Sequence, residues 1–270
     1  VIVFSVISDF NTSEEAVLRY KKNAPGNWFF YQRAFPVGDI PYEKFYAAME
    51  EKKVMEQMDN PTSGLNWISK GPYNVGGRIT AIAVHPSNPD IIIIGAAAGG
   101  IFKTTNGGMN WSAKTDEWPS LSIGSLVMHP SNPNIIYCGT GEGNSAIDVY
   151  PGFGVIKSTD MGETWNVIGL TDALHIPAMD IHPLDPNTLY ASVMSFRSFG
   201  QNKGIYKSTN GGVNWNRVLF VSDSTSGVDV RVSPDDLNIV YAAMWERVRT
   251  PPSVSKTGGI TSGLYRSSNA

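Results

Sequence analysis

A nine-residue pattern of turn residues occurs three times in this chain, and it restricts the possible folds more than any other feature. The copies are KTTNGGMNW at residues 103–111, KSTDMGETW at 157–165 and KSTNGGVNW at 207–215. A fourth copy begins as RSSN at residues 266–269. Similar segments at a spacing of about 50 residues indicate a structural unit that is repeated along the chain.

Within each copy, a hydroxyl side chain, an Asn or Asp and a glycine precede the tryptophan at fixed distances. A short Asn or Asp side chain accepts backbone N–H groups within its own turn, and glycine adopts the positive φ of a tight reversal. We therefore predict a structural turn, after which the tryptophan covers apolar surface and its indole N–H finds an acceptor. The pattern residues are Thr104, Asn106, Gly108 and Trp111, then Ser158, Asp160, Gly162 and Trp165, then Ser208, Asn210, Gly212 and Trp215.

Four short apolar segments accompany each copy of the turn. A first strand ends in a His-Pro or Ser-Pro turn, as in AIAVHPSNPD at residues 81–90, and a second follows at once, as in IIIIGAAA at 91–98. A third strand leads into the repeated turn, and a fourth starts at its tryptophan. Four strands in a unit of about 50 residues are typical of a β-propeller blade. The sequence therefore predicts an all-β fold, a β-propeller of which about three and a half blades are present.

A different pattern precedes the repeats. Residues 11–58 show helical spacing of apolar side chains, and Pro41 is placed to open the second of two helices. Residues 59–64 have the composition of a linker. We expect two domains, an N-terminal helical segment with its linker over residues 1–62 and a partial propeller over residues 63–270.

Composition excludes several classes of partner and site. The 270 residues carry 21 basic and 24 acidic side chains without a dense basic block, so nucleic acid is not an expected partner. Cys138 is the only cysteine, so neither a disulfide framework nor a cysteine zinc site can form. No apolar run reaches the roughly 18 residues of a membrane span, and we expect no transmembrane segment in this chain. Residues 1–8 are apolar and leave two interpretations open, the end of a secretory signal or an N-terminal strand.

Three histidines occupy the same repeat position in different units. His85, His129 and His182 each precede a proline at the end of a first strand. A metal site requires ligands that converge within a few ångströms. Residues at equivalent positions of different blades stay apart, so we expect no metal and no cofactor.

The repeated turns resemble the Asp-box, or BNR, repeat. With WISKGPYNVGGRI at residues 67–79 and the segment at 85–108, they resemble the sortilin-like and xyloglucanase-like propeller superfamily, particularly its large secreted bacterial members. The resemblance implies a secreted, cell-surface or periplasmic location and a chain that is part of a larger protein. It implies no single function, because such propellers serve as sialidases, xyloglucanases, sorting receptors and assembly factors.

In such propellers, ligands generally bind on the face opposite the repeated turns, which is formed by the loops between strands two and three and between blades. The longer insertions of this chain fall there, and they interleave aromatic side chains with carboxylates and arginines. These groups can stack on a sugar or hold a peptide. The candidate ligand-binding residues are Arg78, Trp118, Glu142, Asp148, Tyr150, His175, Arg197, Trp245 and Glu246.

Three functions follow from the resemblance. The leading hypothesis is a non-catalytic extracellular recognition module that binds a protein or a glycan on the inserted-loop face. The alternative is a glycoside hydrolase, xyloglucanase-like or sialidase-like, with part of its catalytic pair outside this chain. A third class is a scaffold or assembly factor that uses the propeller rim.

The enzyme hypothesis meets a departure from the family pattern. Glycoside hydrolysis usually requires two carboxylates about 5–9.5 Å apart. In xyloglucanase-like enzymes one of them is an Asp two residues before the Gly-Gly that opens a third strand, and Ala97 stands at that position here. The dipeptide Arg78-Ile79 resembles the site of a sialidase carboxylate-binding arginine, but the rest of that triad has no counterpart. Catalytic residues stay unassigned, and we expect a binding protein rather than an enzyme.

Overall fold

The computed structural model describes residues 41–58, 76–144, 149–195, 202–250 and 254–269. The helix lies in one compact unit and the sheets in another, and each is described by itself. The expected linker, the domain boundary after residue 62 and the segment 1–8 lie outside the described residues.

Helix α1 (Tyr42–Met58) follows Pro41, as the sequence predicts. The backbone N–H of Lys44 donates to the carbonyl oxygen of Pro41 over 3.0 Å, which closes the first turn. Proline is favoured at the start of a helix because its fixed φ suits the helix. The N–H that proline lacks would have no partner within the helix at this position.

The strands form four antiparallel sheets in chain order, and three of them follow the predicted four-strand unit. Sheet A contains β1 (Ile79–Val84), β2 (Ile92–Ala96), β3 (Gly100–Thr104) and β4 (Ser112–Ala113), and sheet B contains β5 (Ile123–Met128), β6 (Ile136–Thr140), β7 (Val155–Ser158) and β8 (Asn166–Gly169). Sheet C contains β9 (His175–Ile181), β10 (Leu189–Met194), β11 (Gly204–Ser208) and β12 (Asn216–Leu219). Sheet D contains β13 (Thr225–Val232), β14 (Val240–Thr250), β15 (Val254–Thr257) and β16 (Gly263–Ser267).

Sheet D corrects one expectation. The sequence assigned residues 245–259 to a loop, whereas β14 continues to Thr250 and β15 pairs with it. Strands lie on both sides of residues 251–253, so this insertion is partly β structure.

The four sheets form a partial β-propeller. Their first strands are successive neighbours, with β1 beside β5, β5 beside β9 and β9 beside β13. Within each sheet the strands pair in order outward from the first, as β1-β2-β3-β4 shows. The predicted fold class is therefore confirmed.

Neighbouring sheets approach very closely near their first strands. A Cβ added to Gly95 would lie 2.3 Å from Ile123 Cγ2 of the next sheet, and one added to Gly139 would lie 2.5 Å from Ile176 Cγ2. Ser192 has the equivalent position in sheet C, and its hydroxyl donates to the carbonyl oxygen of Val228 over 3.4 Å. Only a very small residue fits at this point between two sheets.

Burial is greatest in the middle of the array. All six residues of β10 are buried, with Leu189 packed towards sheet B and Tyr190 towards sheet D. The outer sheets are more open, since Ile82 of β1 is 63% exposed and Leu264 of β16 is 73% exposed. Strands of the middle sheets are therefore covered on both faces, whereas strands of the outer sheets keep one more open face.

The repeated turn has the predicted hydrogen-bond pattern. In the third copy, the Ser208 hydroxyl accepts from the backbone N–H of Gly212 over 2.9 Å, and Asn210 Oδ1 accepts from that of Asn214 over 2.9 Å. The other two copies repeat both bonds. Their acceptors are Thr104 with Asn106 and Ser158 with Asp160.

The three tryptophans of the repeated turn differ in environment. Trp215 packs between sheets B and C, and its indole N–H donates to the carbonyl oxygen of Gly212 over 2.8 Å, as predicted. Trp165 is buried, and its indole nitrogen has no hydrogen-bond partner among the described residues. Trp111 in the first sheet is 41% exposed.

The repeated turns and the proline turns lie at one end of the sheets, here called the turn face. The backbone N–H groups of Gly107, Met161 and Gly211 donate to the carbonyl oxygens of Asp90, Asn134 and Asn187, respectively, over 2.9–3.0 Å. Each histidine of a proline turn is used within that turn, since Nδ1 of His85, His129 and His182 accepts from a backbone N–H two or three residues later. Within the described ranges, no group of three His, Cys, Asp or Glu side chains is arranged to hold a metal ion.

Candidate ligand-binding face

The opposite end of the sheets, where second strands end and third strands begin, is here called the insertion face. Its described segments are residues 76–78, 97–99, 116–122, 141–144, 149–154, 172–175, 222–226 and 245–262 without the gap at 251–253. Seven of the nine predicted site residues are described, and all seven lie at this end. Asp148 and Arg197 lie outside the described residues.

Arg78 and Glu142 join sheets A and B at this face. Arg78 immediately precedes β1 and Glu142 follows β6, and Arg78 Nη2 lies 2.7 Å from Glu142 Oε2. The Glu142 side chain is 1% exposed, whereas that of Arg78 is 45% exposed. A buried carboxylate requires such a partner, because leaving it unpaired would cost several kcal/mol.

Further hydrogen bonds fix Glu142. Its other oxygen, Oε1, accepts from Asn144 Nδ2 over 2.9 Å, and its backbone N–H donates to the Ser122 hydroxyl over 2.9 Å. The carboxylate thus ties its own loop to the residue before β1, and the backbone N–H of Glu142 ties the loop to the entry of β5. At the end of β2, the backbone N–H of Ala97 donates to the carbonyl oxygen of Arg78 over 2.9 Å.

Aromatic side chains flank this ion pair along the chain. Trp118 stacks on Phe153, with ring centroids 5.4 Å apart and an interplanar angle of 20°. Phe153 is buried and Trp118 is half-buried, so the pair forms a firm base for the loop at residues 149–154. Tyr150 of that loop is 58% exposed and presents its ring to solvent.

His175 is buried at 5% exposure, as the first residue of β9. Its backbone lies opposite Met194 in the β9–β10 ladder. This placement makes it a residue of the interior, and it is not accessible to a ligand at the insertion face.

Glu246 of β14 is the second buried carboxylate of the face. Its Oε1 lies 2.5 Å from Lys256 Nζ of β15, and its Oε2 accepts from the Thr261 hydroxyl over 2.8 Å. These hydrogen bonds, that from Lys256 first, lower the pKa of Glu246 to about 2. Its backbone N–H donates to the Ser262 hydroxyl, so Glu246 holds the β14–β15 insertion against the entry of β16.

Trp245 lies beside this carboxylate and is half-buried. The guanidinium carbon of Arg247 lies 4.9 Å from the centroid of the Trp245 ring, within the range of a cation–π contact. Arg247 itself is 5% exposed. The pair stiffens the part of β14 that extends past the end of sheet D.

The carboxylates of this face are arranged for structure more than for acid–base chemistry. A general acid in glycoside hydrolysis has a raised pKa, so that it holds a proton near neutral pH. Glu246 has a lowered pKa, and Glu142 is engaged by a cation and an amide. They also belong to sheets B and D, with sheet C between them.

Sequence reasoning missed the partners of these residues. Asn144, Lys256 and Thr261 carry no motif, and only their places in the fold bring them to a carboxylate. Lys203 was also missed: it is fully buried, its Nζ donates to the carbonyl oxygen of Asp223, and burial lowers the pKa of its ammonium group. Repeat positions could have indicated one of these pairs, that of Arg78 with Glu142. Arg78 precedes a first strand and Glu142 follows a second strand, so both lie at the same end of neighbouring sheets.

Within the described ranges, no helix combines the length and the apolar character that crossing a bilayer demands.

Several solved structures resemble this chain, and the one that superposes with a TM-score above 0.5 supports the fold. An ancestral GH74 enzyme superposes with a TM-score of 0.54 at 21% identity, over 72% of this chain and 23% of the enzyme. An auxiliary nutrient binding protein from Bacteroides thetaiotaomicron gives a TM-score of 0.45 at 9% identity, over 67% of this chain and 42% of that protein. YCF48 from Cyanidioschyzon merolae gives a TM-score of 0.41 at 16% identity, over 70% of this chain and 58% of that protein.

No protein-family model and no curated protein sequence matches the chain. The chain spans less than a quarter of the length of the GH74 enzyme that it resembles in fold. At 21% identity the likeness concerns the β-propeller architecture alone.

Proposed function

We propose that this protein is a non-catalytic recognition module that binds a glycan or a protein at the insertion face. One observation carries the proposal. The two candidate carboxylates that the structure describes at this face are each paired with a cation, Glu142 with Arg78 and Glu246 with Lys256. They fix two loops instead of facing a reacting bond. Loops fixed in advance lose little conformational freedom on binding, which favours recognition.

The groups presented by these fixed loops suit a polar ligand with apolar faces. Tyr150 offers an exposed ring, Trp118 a half-buried one, and Arg78 a partly exposed guanidinium. A sugar ring stacks on an aromatic face and receives hydrogen bonds from an arginine, and a peptide with carboxylate side chains uses the same groups.

Three finer assignments belong to this proposal. The repeated turn is an Asp-box, supported by its hydroxyl-to-glycine and Asx-to-backbone hydrogen bonds. The chain divides into an N-terminal helical segment at residues 1–62 and a sortilin-like propeller at 63–270. The protein works outside the cell, as the resemblance to secreted bacterial propellers implies, and fractionation of its host with a specific antibody tests that location.

A binding screen with matched variants tests the function. The 270-residue chain is applied to an array of plant and bacterial oligosaccharides and to a displayed peptide library. Any ligand found is measured again with Tyr150→Ala and with Leu184→Ala, which removes a side chain that is 80% exposed in a proline turn of the turn face. We expect a loss of affinity of about tenfold for Tyr150→Ala and no change for Leu184→Ala, because a stacked aromatic contributes about 1–1.5 kcal/mol.

Two results would contradict the proposal. One is a ligand whose affinity depends on Leu184 and not on Tyr150, which would move recognition to the turn face. The other is a glycosidase activity that disappears in both Glu142→Gln and Glu246→Gln while folding is retained.

A further inference from the structure

Two copies of the repeated turn contain the dipeptide Asn-Gly, at residues 106–107 and 210–211. No other Asn of the chain is followed directly by glycine. Deamidation is fastest at Asn-Gly, because glycine has no side chain to hinder the attack of its backbone nitrogen on the Asn amide carbon. The attack closes a five-membered succinimide ring and releases ammonia. Water then opens the ring to aspartate or to isoaspartate.

The attacking nitrogen is engaged in both turns. The backbone N–H of Gly107 donates to the carbonyl oxygen of Asp90 over 3.0 Å, and that of Gly211 donates to the carbonyl oxygen of Asn187 over 2.9 Å. Each bond joins the repeated turn to the proline turn of the same sheet. The nitrogen gives up its proton during the attack, so this hydrogen bond has to break before deamidation can start.

The Asn amide is held as well. In the third turn, Asn210 Oδ1 accepts from the Ser208 hydroxyl over 3.0 Å and from the backbone N–H of Asn214 over 2.9 Å. The first turn repeats both bonds at Asn106, over 2.9 and 3.0 Å. The attack requires the amide carbon to rotate towards the next backbone nitrogen, which would break these bonds.

Contact with sheet B restricts the third turn further. Gly211 is buried, and a Cβ built on it would lie 3.4 Å from the Tyr137 hydroxyl and 3.8 Å from Lys157 Nζ. A succinimide ring at this position would need space that these two side chains occupy. The third turn therefore has to move away from sheet B before it can react.

The second turn shows the geometry that an aspartate product would have. Asp160 holds the position of Asn106 and Asn210, and its Oδ1 accepts from the Ser158 hydroxyl over 2.8 Å and from the backbone N–H of Thr164 over 2.9 Å. Aspartate thus re-forms the turn. Isoaspartate does not, because it transfers one carbon from the side chain to the backbone and lengthens the turn.

We propose that Asn106 and Asn210 are deamidation sites that react only while their own turn is open. In the open turn, the glycine nitrogen attacks Cγ of the Asn, its proton passes to a solvent base, ammonia leaves, and a water molecule opens the succinimide. Each event adds one negative charge, and the isoaspartate product prevents the turn from closing again. Both turns lie at the turn face, so this modification is independent of the function proposed for the insertion face.

Peptide mapping by mass spectrometry measures the reaction at both positions. The 270-residue chain is incubated in a mildly alkaline buffer, either folded or unfolded in guanidinium chloride, and aspartate and isoaspartate are quantified over time. We expect deamidation at least tenfold slower at each position in the folded protein, because hydrogen-bonded turns within a sheet open rarely. Hydrogen exchange of the Gly107 and Gly211 amides should be slowed at least tenfold too, since it requires the same opening.

Two hydroxyl deletions form a crossed pair of variants. Ser208→Ala removes the bonds to Asn210 and to the Gly212 N–H, and Thr104→Ala removes the equivalent bonds in the first turn. Ser208→Ala should speed deamidation of Asn210 about fivefold, the factor that corresponds to one hydrogen bond, and leave Asn106 unchanged. Thr104→Ala should do the reverse. Circular dichroism checks that both variants fold, and the comparison of folded with unfolded chain tests the proposal without them.

Three outcomes would overturn the proposal. Equal rates in the folded and the unfolded chain would show that the turns do not control the reaction. Acceleration of both positions by a single hydroxyl deletion in a folded variant would show that deamidation requires the whole array to open. A lack of deamidation at both positions in guanidinium chloride would show that these dipeptides are unreactive in this chain.

Discussion

Met161 adopts a left-handed backbone conformation with a φ of 61°, in the turn between β7 and β8. Gly107 and Gly211 hold the same position in the other two turns, with φ of 66° and 67°. A left-handed conformation costs a residue with a side chain about 1–2 kcal/mol, whereas glycine adopts it freely. The second turn therefore carries a local strain that the other two avoid.

Exchanging the residues at this position tests that strain. Met161→Gly should raise the free energy of unfolding by up to about 1 kcal/mol, because the relief exceeds the added entropy of the unfolded chain. Gly211→Met should lower it by more than about 1 kcal/mol, since it adds strain and a Cβ that lies 3.4 Å from the Tyr137 hydroxyl. Urea denaturation of both variants measures these changes. Destabilisation by Met161→Gly would contradict the explanation.

At the same scale, the sequence predicted at which end of the sheets the candidate residues lie, without identifying what they contact. The sequence predicts Glu142 and Glu246 as ligand-binding groups because they are charged and occur in insertions, and Arg78 because it occurs in a segment that joins two blades. Glu142 pairs with a residue 64 positions away, which depends on how two sheets lie beside each other. Repeat spacing predicts which end of a sheet a residue occupies, but it does not predict contacts between side chains of different sheets.

Among the elements, the strands that belong to the repeat were predictable and the inserted one was not. The apolar runs before and after each proline turn correspond to the first two strands, as β5 and β6 show. β15 occurs in one sheet alone, so no second copy existed for comparison. The ion pair between Glu246 and Lys256 joins β15 to β14, and it has no counterpart in the repeat.

The tryptophan at the end of the third turn allows the contact between sheets B and C to be tested. Trp215→Ala should lower the free energy of unfolding by about 3 kcal/mol, since it leaves a cavity between sheets B and C and removes the indole bond to Gly212. Trp111→Ala is the matched control, because Trp111 has the same place in its turn and is 41% exposed. We expect a loss of about 1 kcal/mol or less there. Equal losses in thermal or urea denaturation would show that the tryptophan acts within its own turn and not between sheets.

In the array as a whole, the two middle sheets are covered on both faces and the outer sheets on one. β6 and β10 are buried along their whole lengths, while β1 and β16 expose apolar side chains. In a repeat protein, stability is approximately the sum of the units and their contacts with neighbours. The outer sheets therefore have less stabilisation than the middle ones.

Native-state amide hydrogen exchange tests this gradient. Amides of β6 and β10 should exchange slowest, and those of β1 and β16 should exchange faster at low denaturant, because they open without global unfolding. Equal protection in all four sheets would indicate that the array unfolds as a single cooperative unit.

The small residues between the sheets have a geometric consequence for the ring. Gly95, Gly139 and Ser192 allow each second strand to lie almost directly on the first strand of the next sheet. Each sheet is thus a wedge that is thin at its inner edge, and the angle of the wedge sets the curvature. A larger side chain at this position would widen the inner edge, decrease the angle between neighbours and increase the number of wedges in a full circle. One small residue per sheet therefore limits how far apart neighbouring sheets stand at their inner edges.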